Sequence, residues 1–333
     1  MTIAVTGGAG YIGAHVVSAL EAAGRDVLVV DDFSTSTRER AAGRALVELD
    51  LAAPGAADAL TAAFTDHGVD AVVHLAAKKQ VGESVAEPVW YYQQNVGGLA
   101  AVLDASRVAG CRRLLFSSSA AVYGEPAGGA VDESVVPLPI NPYGETKLVG
   151  EWLARDAGRA WGLEHVALRY FNVAGAGRPE LGDPAVLNLV TMVLDRLEQG
   201  LAPVVFGTDY PTPDGTCVRD FVHVQDLAEA HVAALAALET GGLPSSTYDV
   251  GTGRGASVRE VLAALADASG LDTTPETTGR RPGDPAVLVA RAERIRAEIG
   301  WAPRFGLDDI AASAWAAWRA QRARGVEPVR AAR

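Results

Sequence analysis

The chain reads as an α/β protein: a doubly wound parallel sheet, followed by a smaller C-terminal α/β substrate-binding domain. Three observations carry that reading. Short apolar runs alternate with alanine-rich stretches of helical length. A glycine-rich turn, Thr6-Gly7-Gly8-Ala9-Gly10-Tyr11-Ile12-Gly13, directly follows the first apolar run. Beyond Arg169 the alternation loosens into Gly and Pro clusters.

In chain order, strands are expected at Ile3 to Val5, Val27 to Val30, Ala71 to Leu75, Leu114 to Phe116 and around His165 to Leu168. A strand covered on both faces shows an unbroken apolar run, because neither set of alternating side chains meets water. Helices are expected after the glycine turn, over Gly97 to Val108, from Pro142 onward, over Asp226 to Glu239 and over Val258 to Ala268. Clusters at Gly175 to Pro184, Gly207 to Gly215 and Arg280 to Pro285 separate the later elements. The division is set at 1–172 for a Rossmann-type nucleotide-binding domain and 173–333 for a second domain. Tyr248 to Val250 reads as a buried strand that could return to the first sheet, and Gly325 to Arg333 as a frayed tail.

The 333 residues are 49% hydrophobic and 21% charged, the composition of an ordinary globular protein. With 41 acidic against 29 basic side chains the formal charge is -12, which disfavours nucleic-acid or anionic-membrane partners. Any anionic ligand must be met locally. Cys111 and Cys217 are too few for a disulfide framework, and no Cys and His cluster has metal spacing, so no metal is expected. Met1 runs into a strand without a basic leader, and no apolar stretch approaches a bilayer's thickness, so a cytoplasmic setting is expected.

Gly7, Gly10 and Gly13 lie where a backbone must turn tightly and approach a pyrophosphate. The helix that opens there presents free N–H groups and a positive dipole end to that anion. Asp31, at the end of the second strand, is placed to accept hydrogen bonds from both ribose hydroxyls of an adenosine half. That favours NAD over NADP, because a 2′-phosphate would meet Asp31 and Asp32 as like charges. Asp32 also reads as a turn cap; Phe33, Ser34, Thr35 and Ser36 continue the same turn and are assigned to the cofactor with it. Asp50 and Leu51 either meet the adenine edge or cap a turn.

Leu114 to Phe116 ends in Ser117-Ser118-Ser119, placing hydroxyls at the carboxyl edge of the sheet, where such folds bind ligands. Tyr143 and Lys147 follow at a four-residue spacing that stacks phenol beside ammonium on a helix. A tyrosine titrates near pH 10, so one that removes a proton at neutral pH needs a nearby cation. The same spacing also arises on surface helices without chemistry.

Taken in order, the glycine turn, strand-end serine and Tyr and Lys pair resemble the short-chain dehydrogenase/reductase superfamily, and most strongly its extended branch. Within that branch the chain is similar to the UDP-glucose 4-epimerase (UDP-galactose 4-epimerase) family from Thr2 to about Trp301. The carrying runs are Thr6 to Gly13, His74-Leu75-Ala76-Ala77 with Lys79, Val81 to Ser84, Tyr91 to Val96, Ser117 to Gly124, Tyr143 to Lys147, Arg169-Tyr170-Phe171-Asn172, Asp214 to Val224, Tyr248 to Gly255 and Arg280 to Asp284.

The resemblance implies NAD-dependent interconversion of UDP-glucose and UDP-galactose. Hydride would leave the sugar's C4, a 4-keto intermediate would rotate, and hydride would return to the opposite face. Tyr143 would take the proton of the 4-hydroxyl, Ser119 would hydrogen-bond that oxygen, and Lys147 would hold the nicotinamide ribose and lower the phenol's pKa. NAD would be held by the glycine loop, Tyr11, Ile12, Asp31, Asp50, Leu51, Leu75, Ala76, Ala77, Lys79, Asn95, Ser117 and Phe171. Asn172, Asn188, Leu189, Arg219, Arg281, Asp284 and Leu288 would hold the UDP-sugar. Two arginines suit a diphosphate because planar guanidinium groups make bidentate, charge-assisted contacts.

Alternatives stay open for several of these. Arg219 and Arg281 could be surface residues paired with Asp220 and Asp284, and Lys79 a solvated lysine. Lys78 beside it reads as solvated, and His74 and His223 as structural. Leu288 stands where the family's plain-hexose enzymes are expected to carry tyrosine and those accepting N-acetyl sugars a smaller residue, so some activity on UDP-N-acetylglucosamine is expected. The rivals are a sugar 4,6-dehydratase, for which Ala120-Ala121 offers no acid or base, a UDP-glucuronate decarboxylase, epimerases of UDP-glucuronate or of UDP-xylose and UDP-arabinose, a net dehydrogenase and a non-catalytic NAD sensor. The family also implies a homodimer joined through two helices per subunit, with Gly97 to Val108 and the helix from Tyr143 as candidates.

Overall fold

The computed structural model describes residues 1–243, 246–281 and 283–330. Pro282, inside the Arg280 to Asp284 run, and the last three residues of the expected frayed tail lie outside the described residues. Strands in chain order are β1 (Thr2–Thr6), β2 (Asp26–Asp31), β3 (Ala45–Glu48), β4 (Val69–His74), β5 (Arg113–Ser119), β6 (Ala130–Val131) and β7 (Glu164–Tyr170). They continue as β8 (Asn172–Ala174), β9 (Val204–Phe206), β10 (Val218–His223), β11 (Thr247–Val250), β12 (Gly255–Ser257), β13 (Glu276–Thr278) and β14 (Val287–Ala290). The helices are α1 (Tyr11–Ala22), α2 (Ala56–Asp66), α3 (Val81–Ala86), α4 (Pro88–Tyr92), α5 (Gly98–Ala109) and α6 (Pro142–Trp161). After them come α7 (Leu189–Glu198), α8 (Val224–Thr240), α9 (Val258–Ser269), α10 (Glu293–Ile299) and α11 (Leu307–Ala323).

Seven strands form one parallel sheet in the order β11-β7-β5-β4-β1-β2-β3. Successive side chains of a strand point to opposite faces, so each strand feeds two cores. Ile3 and Val5 join Val16, Leu20, Leu227 and Leu235 under α1 and α8, whereas Ala4 between them joins Leu60, Phe64, Leu99 and Val102 under α2 and α5. Both faces are therefore buried, which is why the sequence shows apolar runs rather than alternation. Each such leucine or phenylalanine contributes about 1.5–3 kcal/mol by leaving water.

A second sheet runs β12-β10-β14-β6, with β8 paired to β10, and a two-stranded parallel ladder joins β9 to β13. Its core lies among α7, α9 and α11, where Leu194, Phe221, Leu265, Ile310 and Trp318 meet. The chain passes between the two layers more than once. β6 pairs with β14, while α8, β11 and α10 pack on the first sheet through Leu227, Tyr248 and Ile295.

The tail departs from the expectation of fraying. Val329 donates to Pro184 O at 2.8 Å and accepts from Val186 N at 2.9 Å, and Arg330 Nη2 reaches Asp195 Oδ1 at 2.7 Å. Backbone pairing and a guanidinium on α7 hold residues whose local sequence carries no periodic signal. Among the described residues no helix is long and apolar enough to cross a membrane, no acid, His and Cys group could hold a metal ion, and both cysteines are free and buried.

Candidate active site

The parallel arrangement brings the carboxyl ends of β1, β2, β4 and β5 to one edge. The glycine loop leaves β1 there. Gly7 N bonds Val30 O at 2.7 Å, and Gly10 caps α1 without any side-chain acceptor, leaving the helix's first N–H groups for a ligand. A Cβ on Gly13 would stand 2.0 Å from Gly7 O, so the loop folds against its own helix only with glycine. This cradle fits a dinucleotide's pyrophosphate. Asp31 accepts from Ala9 N at 2.9 Å through one oxygen, and from Phe33 N and Ser36 Oγ through the other. A carboxylate has about four lone-pair sites, so capacity for a ribose hydroxyl remains.

Other residues assigned to NAD fall around the same edge. Asp32 caps its own turn by accepting from Ser34 N and Oγ, and Asp50 accepts from Ala52 N at 2.9 Å, as capping residues do. Thr35 is exposed, and Leu51 packs beside Gly98. Leu75 N donates to Thr6 O, and Ala76 and Ala77 follow at the end of β4. Tyr11 donates its hydroxyl to Gly175 O at 2.6 Å, while Ile12 packs on the first core. Asn95 sits in a π turn, Gln93–Gly97, accepting from Lys78 N at 2.8 Å and donating to Lys78 O and Thr146 Oγ1, each at 3.0 Å. Lys79 is exposed.

Lys78 corrects the sequence reading. It lies in the loop between β4 and α3, its side chain only 22% exposed, with Nζ 3.2 Å from Ser34 Oγ and 3.8 Å from Asp32. The contact joins the ends of two strands that are not neighbours, which no local pattern shows.

The chemistry centres on β5 and α6. Asn141 caps α6 by accepting from Gly144 N at 2.9 Å, and Pro142 occupies the first turn. A Cβ on Gly144 would stand 2.5 Å from Ala121 O, so glycine is what lets α6 press against the turn following Ser119. Lys147 is 3% exposed, donates to Ser117 O at 2.8 Å, and lies 5.9 Å from the Tyr143 ring centroid and 5.3 Å from that of Phe116. Burial pushes its ammonium down to about 7. Burial also raises the Tyr143 phenol, with the hydrogen bond from Ser119 pulling the other way. Both shifts disfavour charge, whereas a phenolate and an ammonium side by side would each favour the other.

Sequence reasoning left Tyr170 without a role. It pairs with Ser119 in the sheet register; burial raises its phenol first, the charge of Tyr143 raises it further, and the Ser117 hydroxyl pulls the other way. Its place at the end of β7, one strand from the serines, was the available signal. Arg40 was missed as well: it bonds Ala9 O at 2.8 Å and both Leu181 O and Gly182 O at 3.2 Å, tying the glycine loop to the second layer. His74 and His223 are buried structural residues, held at Thr6 Oγ1 and at Gln225 N; burial drives their pKa values down to about 3 and about 4.

Among the residues assigned to the UDP-sugar, Asn172 is exposed on β8 beside the buried Phe171, and Asn188 caps α7, accepting from Thr191 N and donating to Asp183 at 2.8 Å. Leu189 begins that helix. Asp284 binds both arginines, Arg281 Nε at 2.9 Å and Arg219 Nη2 at 3.5 Å, and Arg281 also covers the Phe206 ring. Asp220 does not take part. Its buried carboxylate accepts instead from Thr252, Gly253 and Ala290. Leu288 lies opposite Arg219 in the sheet and packs in a small core with Ala120, Val122 and Phe171.

A family model described as the NAD dependent epimerase/dehydratase family matches residues 3–251. A UDP-glucose 4-epimerase from Azospirillum brasilense is 48% identical over 318 residues, which cover 94% of this chain and 90% of that protein. The crystal structure of UDP-glucose 4-epimerase from Brucella ovis in complex with NAD aligns with a TM-score of 0.89 at 38% identity, over 94% and 97% of the two chains. For UDP-glucose 4-epimerase from Bifidobacterium longum, in complex with NAD+ and UDP, the TM-score is 0.88 at 34% identity, over 98% and 100%.

Proposed function

The chain belongs to the NAD-dependent epimerase/dehydratase family, and from that premise we infer that it is an isomerase interconverting UDP-glucose and UDP-galactose by inversion at C4. The observation that best supports the assignment of residues is the meeting of Ser119, from a strand end, with Tyr143 above the buried Lys147. When bound, NAD supplies a hydride acceptor for oxidation at C4 and a hydride donor for its reversal. In this reading Tyr143 Oη takes the proton of the sugar's 4-hydroxyl and returns it, and Ser119 Oγ holds the same oxygen. The proton therefore stays in the site, and no net redox change results. Lys147 lowers the free energy of the phenolate.

Residues 1–172 hold the cofactor in this account, and 173–333 hold the substrate. Arg219 and Arg281 grip the diphosphate, with Asp284 orienting both guanidinium groups, and Asn172, Asn188 and Leu189 complete the site. Placing affinity in the UDP leaves the hexose free to present either face to the base. A cytoplasmic setting fits the two free, buried cysteines.

Three outcomes are expected. Tyr143→Phe loses about 10²–10⁴-fold in turnover, as removal of a general base does, while keeping its fold and bound NAD. Proton NMR of UDP-galactose conversion reads this, and undiminished turnover contradicts the assignment. UDP-N-acetylglucosamine turns over as well, because the leucine at 288, packed with Ala120 and Phe171, takes less room than the tyrosine expected of plain-hexose enzymes; the gain over tyrosine is worth about 1–3 kcal/mol. Brisk UDP-galactose turnover with none on the N-acetyl sugar excludes it. Finally, exposed Val85, Val89, Tyr92 and Trp152, on α3, α4 and α6, suit burial in a homodimer, so light scattering gives about twice 34.6 kDa; the mass of one chain rejects that assembly.

A further inference from the structure

We propose that Lys78 is a strap over the bound dinucleotide, fixing how slowly the cofactor leaves. The inference rests on reading the crevice at the end of β1 as the NAD site. In the sheet β1 lies between β4 and β2, so residues following β4 and β2 stand on opposite sides of the glycine loop. Two strand spacings separate them, roughly 10 Å. Lys78 crosses that gap. Its Nζ donates to Ser34 Oγ at 3.2 Å, lies 3.8 Å from Asp32 Oδ2, and stands 5.6 Å from the Trp90 ring centroid.

The lysine's backbone is fixed while its side chain bridges. Asn95 grips both the N–H and the C=O of Lys78, and reaches Thr146 on α6 with the same amide. Only the four-carbon stem and ammonium have to swing to open the crevice. The turn they meet is the one assigned to the adenosine ribose. An enzyme that oxidises and reduces its substrate on one cofactor gains nothing from releasing it between the half-reactions. A charge-assisted contact across the exit slows that release without touching the reacting atoms.

The test is cofactor exchange. Protein carrying its bound NAD is chased with excess isotopically labelled NAD, and the exchange rate is read by mass spectrometry. Lys78→Met keeps the stem and removes the charge; it exchanges on the order of tenfold faster, the worth of one charge-assisted hydrogen bond. Lys78→Arg, which keeps the charge, stays near the wild-type rate. The thermal midpoint of cofactor-stripped Lys78→Met matches that of the stripped wild type. Exchange by Lys78→Met at or below the wild-type rate overturns the strap, as does a lowered midpoint in the stripped variant, which would mark general loosening. A wild-type protein that binds no nicotinamide dinucleotide overturns the reading of the crevice itself.

Discussion

A lysine ammonium held out of water beneath a tyrosine is the constraint on which the site depends. Lys147 has the Ser117 carbonyl as its hydrogen-bond acceptor and the rings of Phe116 and Tyr143 nearby, where an ammonium in water would satisfy three donors. That partial compensation is why burial lowers its pKa to about 7. The position makes poor sense as a stabilising feature. In the proposed reading it is stored electrostatic work, because the cation is best satisfied when a negative charge appears on Tyr143 beside it. The same burial favours the neutral phenol.

Such a pair is useful only if the helix and the strand beneath it cannot drift. One turn beyond Lys147, Glu151 accepts from Ser118 Oγ and from Arg169 Nε and Nη2, the latter two at 2.8 and 2.6 Å. Lys147 and Glu151 therefore latch α6 to consecutive residues of β5. Arg169 passes the connection to Tyr123 at 3.0 Å, and Tyr123 to Asp249 on β11 at 2.8 Å. Burial, with the charge of Glu133, pushes the Asp249 carboxyl up to about 8. A buried ion pair of this sort contributes little net stability, yet breaking one side leaves an uncompensated charge costing about 3–5 kcal/mol. The network acts as a frame for Ser119 and Tyr143 more than as a source of cohesion.

The parts legible in the sequence are those written in local patterns. The glycine loop, the strand-end serines, the capped start of α6 and the Tyr143 to Lys147 spacing each occupy a dozen residues or fewer, and the structure brings Ser119, Tyr143 and Lys147 together. The rest depends on strand order, which a linear reading does not contain. Lys78 looks solvated until β1 is seen to lie between β4 and β2. Tyr170 gains its place from the register that sets it opposite Ser119, and Arg40 from a loop some 140 residues away in sequence. Asp284 was one of two acids named for the arginines, and only the fold decides that it serves both while Asp220 serves the backbone. The docked tail carries no pattern at all, being held by the 184–186 segment and α7.

The central claim is that the Lys147 cation makes Tyr143 a base, and a titration of the phenol tests it most directly. The ultraviolet signal of tyrosinate, taken as the difference between protein with and without Tyr143→Phe, gives the pH at which Tyr143 loses its proton. A phenolate beside Lys147 favours the protonated lysine over the neutral one that burial alone leaves above about 7, and the ammonium so retained stabilises the phenolate, so removing the lysine raises that pH. In a Lys147→Met background the transition moves upward by on the order of one unit or more. A transition that stays in place, or moves downward, contradicts the account.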